Sequence, residues 1–193
     1  MQCTGLQSNI MNSCQAPLGE QEICVTCGFC CDGTLFAHAL LNPGEKGNLP
    51  EKIEENLFSA AERDYFHLPC RYFNGRCSIY DRQRADVCGS YRCQLLRDFS
   101  DCIITYGQAL GIVERARQVR SELMEQYSLL TGKRDSVHFM KVLKEAGNNL
   151  LQEGDTVSAA MDRELFLARC NIFEALLIKH FRSSDDFEKL VMK

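Results

Sequence analysis

"CVTCGFCC", residues 24–31, places four thiols within eight positions, with Gly28 directly after the second. Two cysteines separated by two residues can turn both sulfurs toward one ion, and a glycine after the second allows the left-handed backbone such a knuckle needs. Cys24-x2-Cys27-x2-Cys30 also has the spacing of bacterial iron–sulfur ligands, which take a fourth cysteine from elsewhere in the chain. Zinc and iron–sulfur chemistry both remain open from this stretch. Cys30 and Cys31 are adjacent, and adjacent side chains diverge, so one ion does not collect both.

Working outward, eight of the twelve cysteines fall between Cys24 and Cys93: Cys24, Cys27, Cys30, Cys31, Cys70, Cys77, Cys88 and Cys93. The simplest arithmetic divides eight thiolates between two four-thiolate sites; one polynuclear site is the other solution. Residues 1–22 are polar, with no basic n-region and no apolar h-region, so they read as a flexible leader rather than a secretory signal. No stretch approaches the roughly 18 apolar residues of a membrane span. A cytoplasmic location is therefore expected, where thiols stay reduced and a cysteine cluster reads as metal-binding rather than as a disulfide framework. Structural zinc contributes on the order of 10–16 kcal/mol to the folding of a small site. A disulfide contributes about 2–4 kcal/mol.

The net charge of −4 and the absence of tryptophan give no footing for a general nucleic-acid binder. The expected partner is a metal ion or cluster, with neither nucleic acid nor membrane; no protein partner is specified. Metal thiolates carry negative charge and need donors or counter-charge around them. Arg71, Arg76, Arg82, Arg84, Arg92 and Arg97 are candidates, against only Asp81 and Asp86 in the same stretch; a solvated basic face is the competing reading. His38 and His67 are possible but unneeded ligands. Tyr80 and Tyr91 are expected to pack over the site rather than donate to sulfur. Cys3 and Cys14 read as incidental thiols of the leader, and Cys102 and Cys170 as small hydrophobes in helices. His138 and His180 are expected at solvent or at helix ends.

The fold expected is mainly α: a metal-stabilised cysteine-rich module with a short hairpin over 23–97, followed by a helical bundle over 98–193. Ala109, Ile112, Ala116, Val119, Leu123, Tyr127 and Leu130 recur at helical spacing, and Gly132 supplies a stop. A second helix is expected from Asp135 or Ser136, burying Phe139, Leu143, Ala146 and Leu150. A third is expected from near Ser158, burying Met161, Leu165, Ala168, Ile172 and Leu176, with Phe166, Phe173 and Leu177 widening the stripe. Arg115, Arg117 and Arg120, interleaved with Glu114, Glu122 and Glu125, read as a mixed solvated surface. Within the cysteine-rich part, residues 33–36 read as a short strand or turn exit and 42–50 as loop. Residues 50–66 read as a helix, and 71–80 as a hairpin about Asn74-Gly75. No phosphate loop, dinucleotide fingerprint, nucleophile elbow or HExxH is present.

"CVTCGFCCDGTLF" and "LPCRYFNGRCSIYDRQRADVCGSYRCQLL", the latter at 68–96, together resemble the CxxCxxCC (YkgJ-type) cysteine-cluster family, described as zinc- or iron-chelating. The resemblance covers about residues 24–97 and rests on CxxCxxCC, Pro69-Cys70, Cys77-Ser78-Ile79-Tyr80 and Cys88-x4-Cys93. It departs where Ala85 follows Arg84 in place of the family's proline, and where one extra residue stands between Tyr80 and Arg84. The resemblance implies metal chelation through these cysteines, with an iron–sulfur oxidoreductase or electron carrier as the second implication. It supplies no substrate.

Overall fold

The computed structural model describes residues 18–132, 139, 142 and 157–182. In chain order the elements are α1 (Leu18–Cys27), β1 (His38–Leu40), α2 (Glu51–Glu54), β2 (Leu57–Ala60) and β3 (Arg63–His67). They are followed by α3 (Val87–Ser90), α4 (Gln94–Ser100), α5 (Tyr106–Thr131) and α6 (Val157–Phe181). The described chain is mainly helical, with one antiparallel sheet in the order β1-β3-β2. No described helix is long and apolar enough to cross a membrane.

Helix α5 forms where its periodicity places it. Thr105 and Gln108 close a capping box at its start, each side chain bonding the other's backbone N–H. Gly132, left-handed at φ 67°, ends it. Ala109, Val113, Ala116, Leu123 and Tyr127 are buried, and Ile112, Val119 and Leu130 flank them. Phe139 and Val142 are helical and buried, with Phe139 edge-on to Phe173 at 5.0 Å. Leu143, Ala146 and Leu150 of the expected second helix lie outside the described residues.

Helix α6 turns a different face inward from the one expected. Phe166, Cys170, Phe173, Leu177 and Phe181 are buried, whereas Met161, Leu165 and Ile172 are 69%, 58% and 70% exposed. Ala168 is exposed as well, and Leu176 is only half-buried. Two apolar stripes share this helix at helical spacing, and the aromatic one wins because it has rings to meet. Phe166 lies against Tyr127 and Phe173 against Phe139.

The stretch 50–66 is not one helix. Only Glu51–Glu54 is helical, and Leu57–Ala60 and Arg63–His67 pair as a two-residue hairpin in register Ala60↔Arg63. Both turn residues, Ala61 and Glu62, are left-handed at φ 48° and 60°, the backbone of a type I′ turn without its usual Asn-Gly. The pairing is sustained by stacking of Phe58 on Tyr65 (5.3 Å) and on His67 (4.3 Å). The expected hairpin at 71–80 reduces to one bridge, Phe73↔Cys77, over a left-handed Gly75. Residues 33–36 form a bend and 42–50 a loop.

Two hydrophobic cores result. The helical core joins α5 and α6 to Ile23 of α1, to Phe29 and Leu35 after it, and to Leu95 and Leu96 of α4. The sheet core gathers Leu41, Ile53, Phe66, Ile79 and Ala85. The first thus draws residues of the cysteine-rich stretch into the same packing as the long helices. A left-handed non-glycine residue costs about 1–2 kcal/mol, so replacing the turn by Ala61→Asn with Glu62→Gly should raise stability by roughly 1 kcal/mol. A urea midpoint that stays put or falls would contradict this backbone assignment.

Candidate metal centre

Helix α1 carries Cys24 and Cys27 three positions apart, on one face. It ends at Gly28, whose φ is +70° and whose N–H donates to the Cys24 carbonyl at 3.1 Å. The Gly28 carbonyl then accepts from both Cys31 N–H and Asp32 N–H, each at 2.9 Å. This tight reversal brings Cys30 and Cys31 back beside the helix end. A side chain at Gly28 would stand 2.5 Å from Cζ of Phe73, so the ring uses the space that glycine leaves.

Helix α5 holds this turn from behind. Arg120 Nε donates to Thr34 Oγ1 at 2.7 Å and lies 3.5 Å from Asp32 Oδ2, while Asp32 accepts the Thr34 N–H at 2.8 Å. Arg117 donates to the Thr26 carbonyl. The expected solvated arginine face is therefore corrected: two of its three arginines clamp the cysteine motif. Nothing in the local sequence pairs residues about 90 positions apart, so pattern reading could not find these contacts.

The remaining four thiols reach the same place by backbone contacts. Cys70 N–H donates to the Cys31 carbonyl at 2.8 Å. The Phe73↔Cys77 bridge folds Cys77 back, with Ser78 N–H and Oγ both donating to the Tyr72 carbonyl at 2.9 Å. Cys88 lies on α3, anchored through its N–H to the carbonyl of buried Ala85 at 2.9 Å. Cys93 is the N-cap of α4. All eight cysteines border two adjoining cavities. The larger, about 250 Å³, is lined by Cys24, Cys30, Cys31, Cys70, Cys77 and Cys88. The smaller, about 40 Å³, is lined by Cys24, Cys27, Cys30, Cys31 and Cys93. As placed, no three His, Cys, Asp or Glu side chains among the described residues meet the geometry of an ion site; the thiols ring the cavities rather than converge on a point.

Electrostatics show the same proximity. Burial pushes Cys27 and Cys30 well above the ordinary thiol range, and neighbouring cysteines push further: Cys93 and Cys24 on Cys27, and Cys27, Cys24 and Cys93 on Cys30. Burial also raises Cys31, whose neighbours are Cys88, Cys24, Cys70 and Cys77. Cys88 is pushed up to about 12 by burial and by Cys70, and Cys93 to about 11 by burial. Opposing this, the N–H groups of Phe29, Tyr72 and Leu96 face Cys27, Cys70 and Cys93 respectively and favour thiolate. At Cys93 they do so without completing a capping hydrogen bond. Thiols so crowded and desolvated stay protonated unless a cation joins them, and a bound metal reverses that balance.

Of the six arginines proposed as counter-charge, Arg84 reaches the thiols. It lowers Cys24 and Cys88 and sits 4.3 Å over the Tyr80 ring. Arg71 instead pairs with Glu55 at 2.8 Å, Arg92 with buried Glu20 at 2.6 Å, and Arg97 donates to the Arg92 carbonyl at 3.2 Å. Arg76 and Arg82 are exposed. Tyr80 lines the larger cavity, and Tyr91 lines both while donating to the Phe181 carbonyl at 3.0 Å. His38 and His67 pair across β1 and β3; His67 stacks on Phe58, and His38 meets it edge-on. His38 also lines the larger cavity.

Ten cysteines are described, and each is free of disulfide. Cys170 is buried in the helical core as a small hydrophobe. Cys102 corrects its helical assignment, since it occupies an exposed left-handed turn between α4 and α5. His180 is half-buried near the end of α6. Cys3, Cys14 and His138 lie outside the described residues. Gly28→Ala forces a left-handed alanine, costing about 1–2 kcal/mol, and drives a methyl group into Phe73. The expected loss of stability is roughly 2–3 kcal/mol, partly recovered by adding Phe73→Ala. A neutral Gly28→Ala in thermal denaturation would rule out this packing.

No protein-family model, no characterised protein and no solved structure matches this chain.

Proposed function

We propose that this chain is a metal-binding cysteine-cluster protein whose thiolates hold zinc or an iron–sulfur centre, as its resemblance to the CxxCxxCC family implies. One observation carries the reading. Cysteines from separated stretches, 24–31, 70, 77, 88 and 93, border two adjoining cavities, whereas Cys102 and Cys170 border neither. The donor set fits such a group: thiols in number, N–H groups facing three of the sulfurs, and Arg84 to offset negative charge. Zinc so held would tie cysteines from separated stretches together and add on the order of 10–16 kcal/mol. That is comparable to the total stability of an ordinary domain, about 5–15 kcal/mol.

A second reading, an iron–sulfur redox protein or electron carrier, is favoured by one feature. Cys24, Cys27 and Cys30 share the smaller cavity with Cys93, a C-x2-C-x2-C run completed by a distant cysteine as in iron–sulfur ligation. Metal analysis of protein purified without oxygen separates the two. A coloured preparation containing iron and sulfide supports the second; a colourless one with stoichiometric zinc supports the first. Protein with no stoichiometric metal and freely alkylated native thiols would end both.

Chelation gives a further expected outcome. Removing the metal should open residues 31–93 to protease while far-UV circular dichroism keeps most of its helical signal, since α5 and α6 pack directly on one another in the helical core. Verified metal removal with unchanged protease resistance would contradict the reading.

A further inference from the structure

We propose that the eight thiols form two separate four-thiolate centres. Cys24, Cys27, Cys30 and Cys93 make a closed one in the helical core. Cys31, Cys70, Cys77 and Cys88 make an exchangeable one against the sheet core. The inference rests on the metal-binding reading above and goes beyond it by dividing the ligands.

Three features of the fold set the division. First, packing sorts the cysteines. Cys24, Cys27, Cys30 and Cys93 pack against the helical core, and Cys77 and Cys88 against the sheet core. Second, no one cavity is bordered by all eight thiols. Cys27 and Cys93 do not border the larger cavity, and Cys70, Cys77 and Cys88 do not border the smaller. Cys24, Cys30 and Cys31 border both, and Cys24 and Cys88 also share a third cavity of about 100 Å³. Third, backbone bonds assign the adjacent pair. The Cys31 carbonyl accepts from Cys70 N–H at 2.8 Å, tying Cys31 to the sheet-side strand of thiols. Its neighbour Cys30 belongs with Cys27, since side chains of adjacent residues diverge.

Unequal room makes the centres unequal. About 40 Å³ on the helical side leaves no space beside four sulfurs for another ligand, the condition of a structural site. About 250 Å³ on the sheet side, with Arg84, Tyr80 and His38 along its wall, admits a non-protein ligand at the metal. The sheet-side centre is therefore the one that exchanges its ion.

The test uses the full reduced chain loaded with zinc under anaerobic conditions. A chelator is titrated in while native mass spectrometry counts zinc and alkylation maps the exposed thiols. The expected course is two zinc ions per chain lost in two steps. Cys31, Cys70, Cys77 and Cys88 become alkylated first, while Cys24, Cys27, Cys30 and Cys93 stay protected with one zinc retained. Cys70→Ser should bind one zinc and protect only the helical set. Loss of all zinc and all protection in one step overturns this inference alone, as does release of the helical set first. A chain that holds an iron–sulfur centre but binds no zinc overturns this inference alone; one that binds neither overturns it together with the reading it rests on.

Discussion

At Gly28 the chain reverses direction in a left-handed turn with the Phe73 ring lying where any other residue would carry its side chain. That close approach is where the two halves of the molecule meet. Before it, α1 aims Cys24 and Cys27 along the helical core; after it, the turn swings Cys31 toward Cys70 and the sheet. A larger residue would separate Phe73 from the turn and, with it, the 70–77 loop from the motif. The linear run of four cysteines becomes a two-sided wall only because one backbone position tolerates both the torsion and the contact.

What keeps that wall in place is charge as much as packing. Arg117 and Arg120 reach across from α5 to a helix-end carbonyl and to the Asp32–Thr34 turn. On the far side Arg92 meets Glu20, a carboxylate almost wholly out of water, in a pair whose partners belong to α1 and to the segment before α4. Neither interaction touches a sulfur. Both fix backbone that carries or flanks the 24–31 motif, so part of the ordering of that motif is met by these contacts.

The sequence made some of this legible. The grouping of the eight cysteines was readable from their spacing, and the structure brings all eight to two adjoining cavities; α5 was readable because its stripe, its Gly132 stop and its Thr105–Gln108 box agree with one another. The inward face of α6 was not readable: Met161, Leu165 and Ile172 satisfy helical spacing as well as Phe166, Phe173 and Leu177 do. Only the partner rings Tyr127 and Phe139 decide between them. The hairpin hid behind Ala60-Ala61-Glu62-Arg63, residues that favour helix locally and were overruled by cross-strand stacking. The walls of the site, Phe73, Tyr91, Arg117 and Arg120, are ordinary residues made important by distant neighbours, and no local pattern announces them.

The contact of Tyr91 with the Phe181 carbonyl spans 90 positions of chain, and Phe181 also packs edge-on against Phe29 beside the smaller cavity. During translation every one of the eight clustered cysteines leaves the ribosome before this closing residue is made. At about 5–20 residues per second the interval is on the order of 4–18 s for Cys93 and longer for each cysteine before it. Throughout it the nascent thiols face whatever oxidants and competing ions the surroundings hold, without the lid that later shields them. On the proposed metal-binding reading, uptake of the ion competes with oxidation on the ribosome, and the length of chain between Cys93 and Phe181 sets how long that competition lasts.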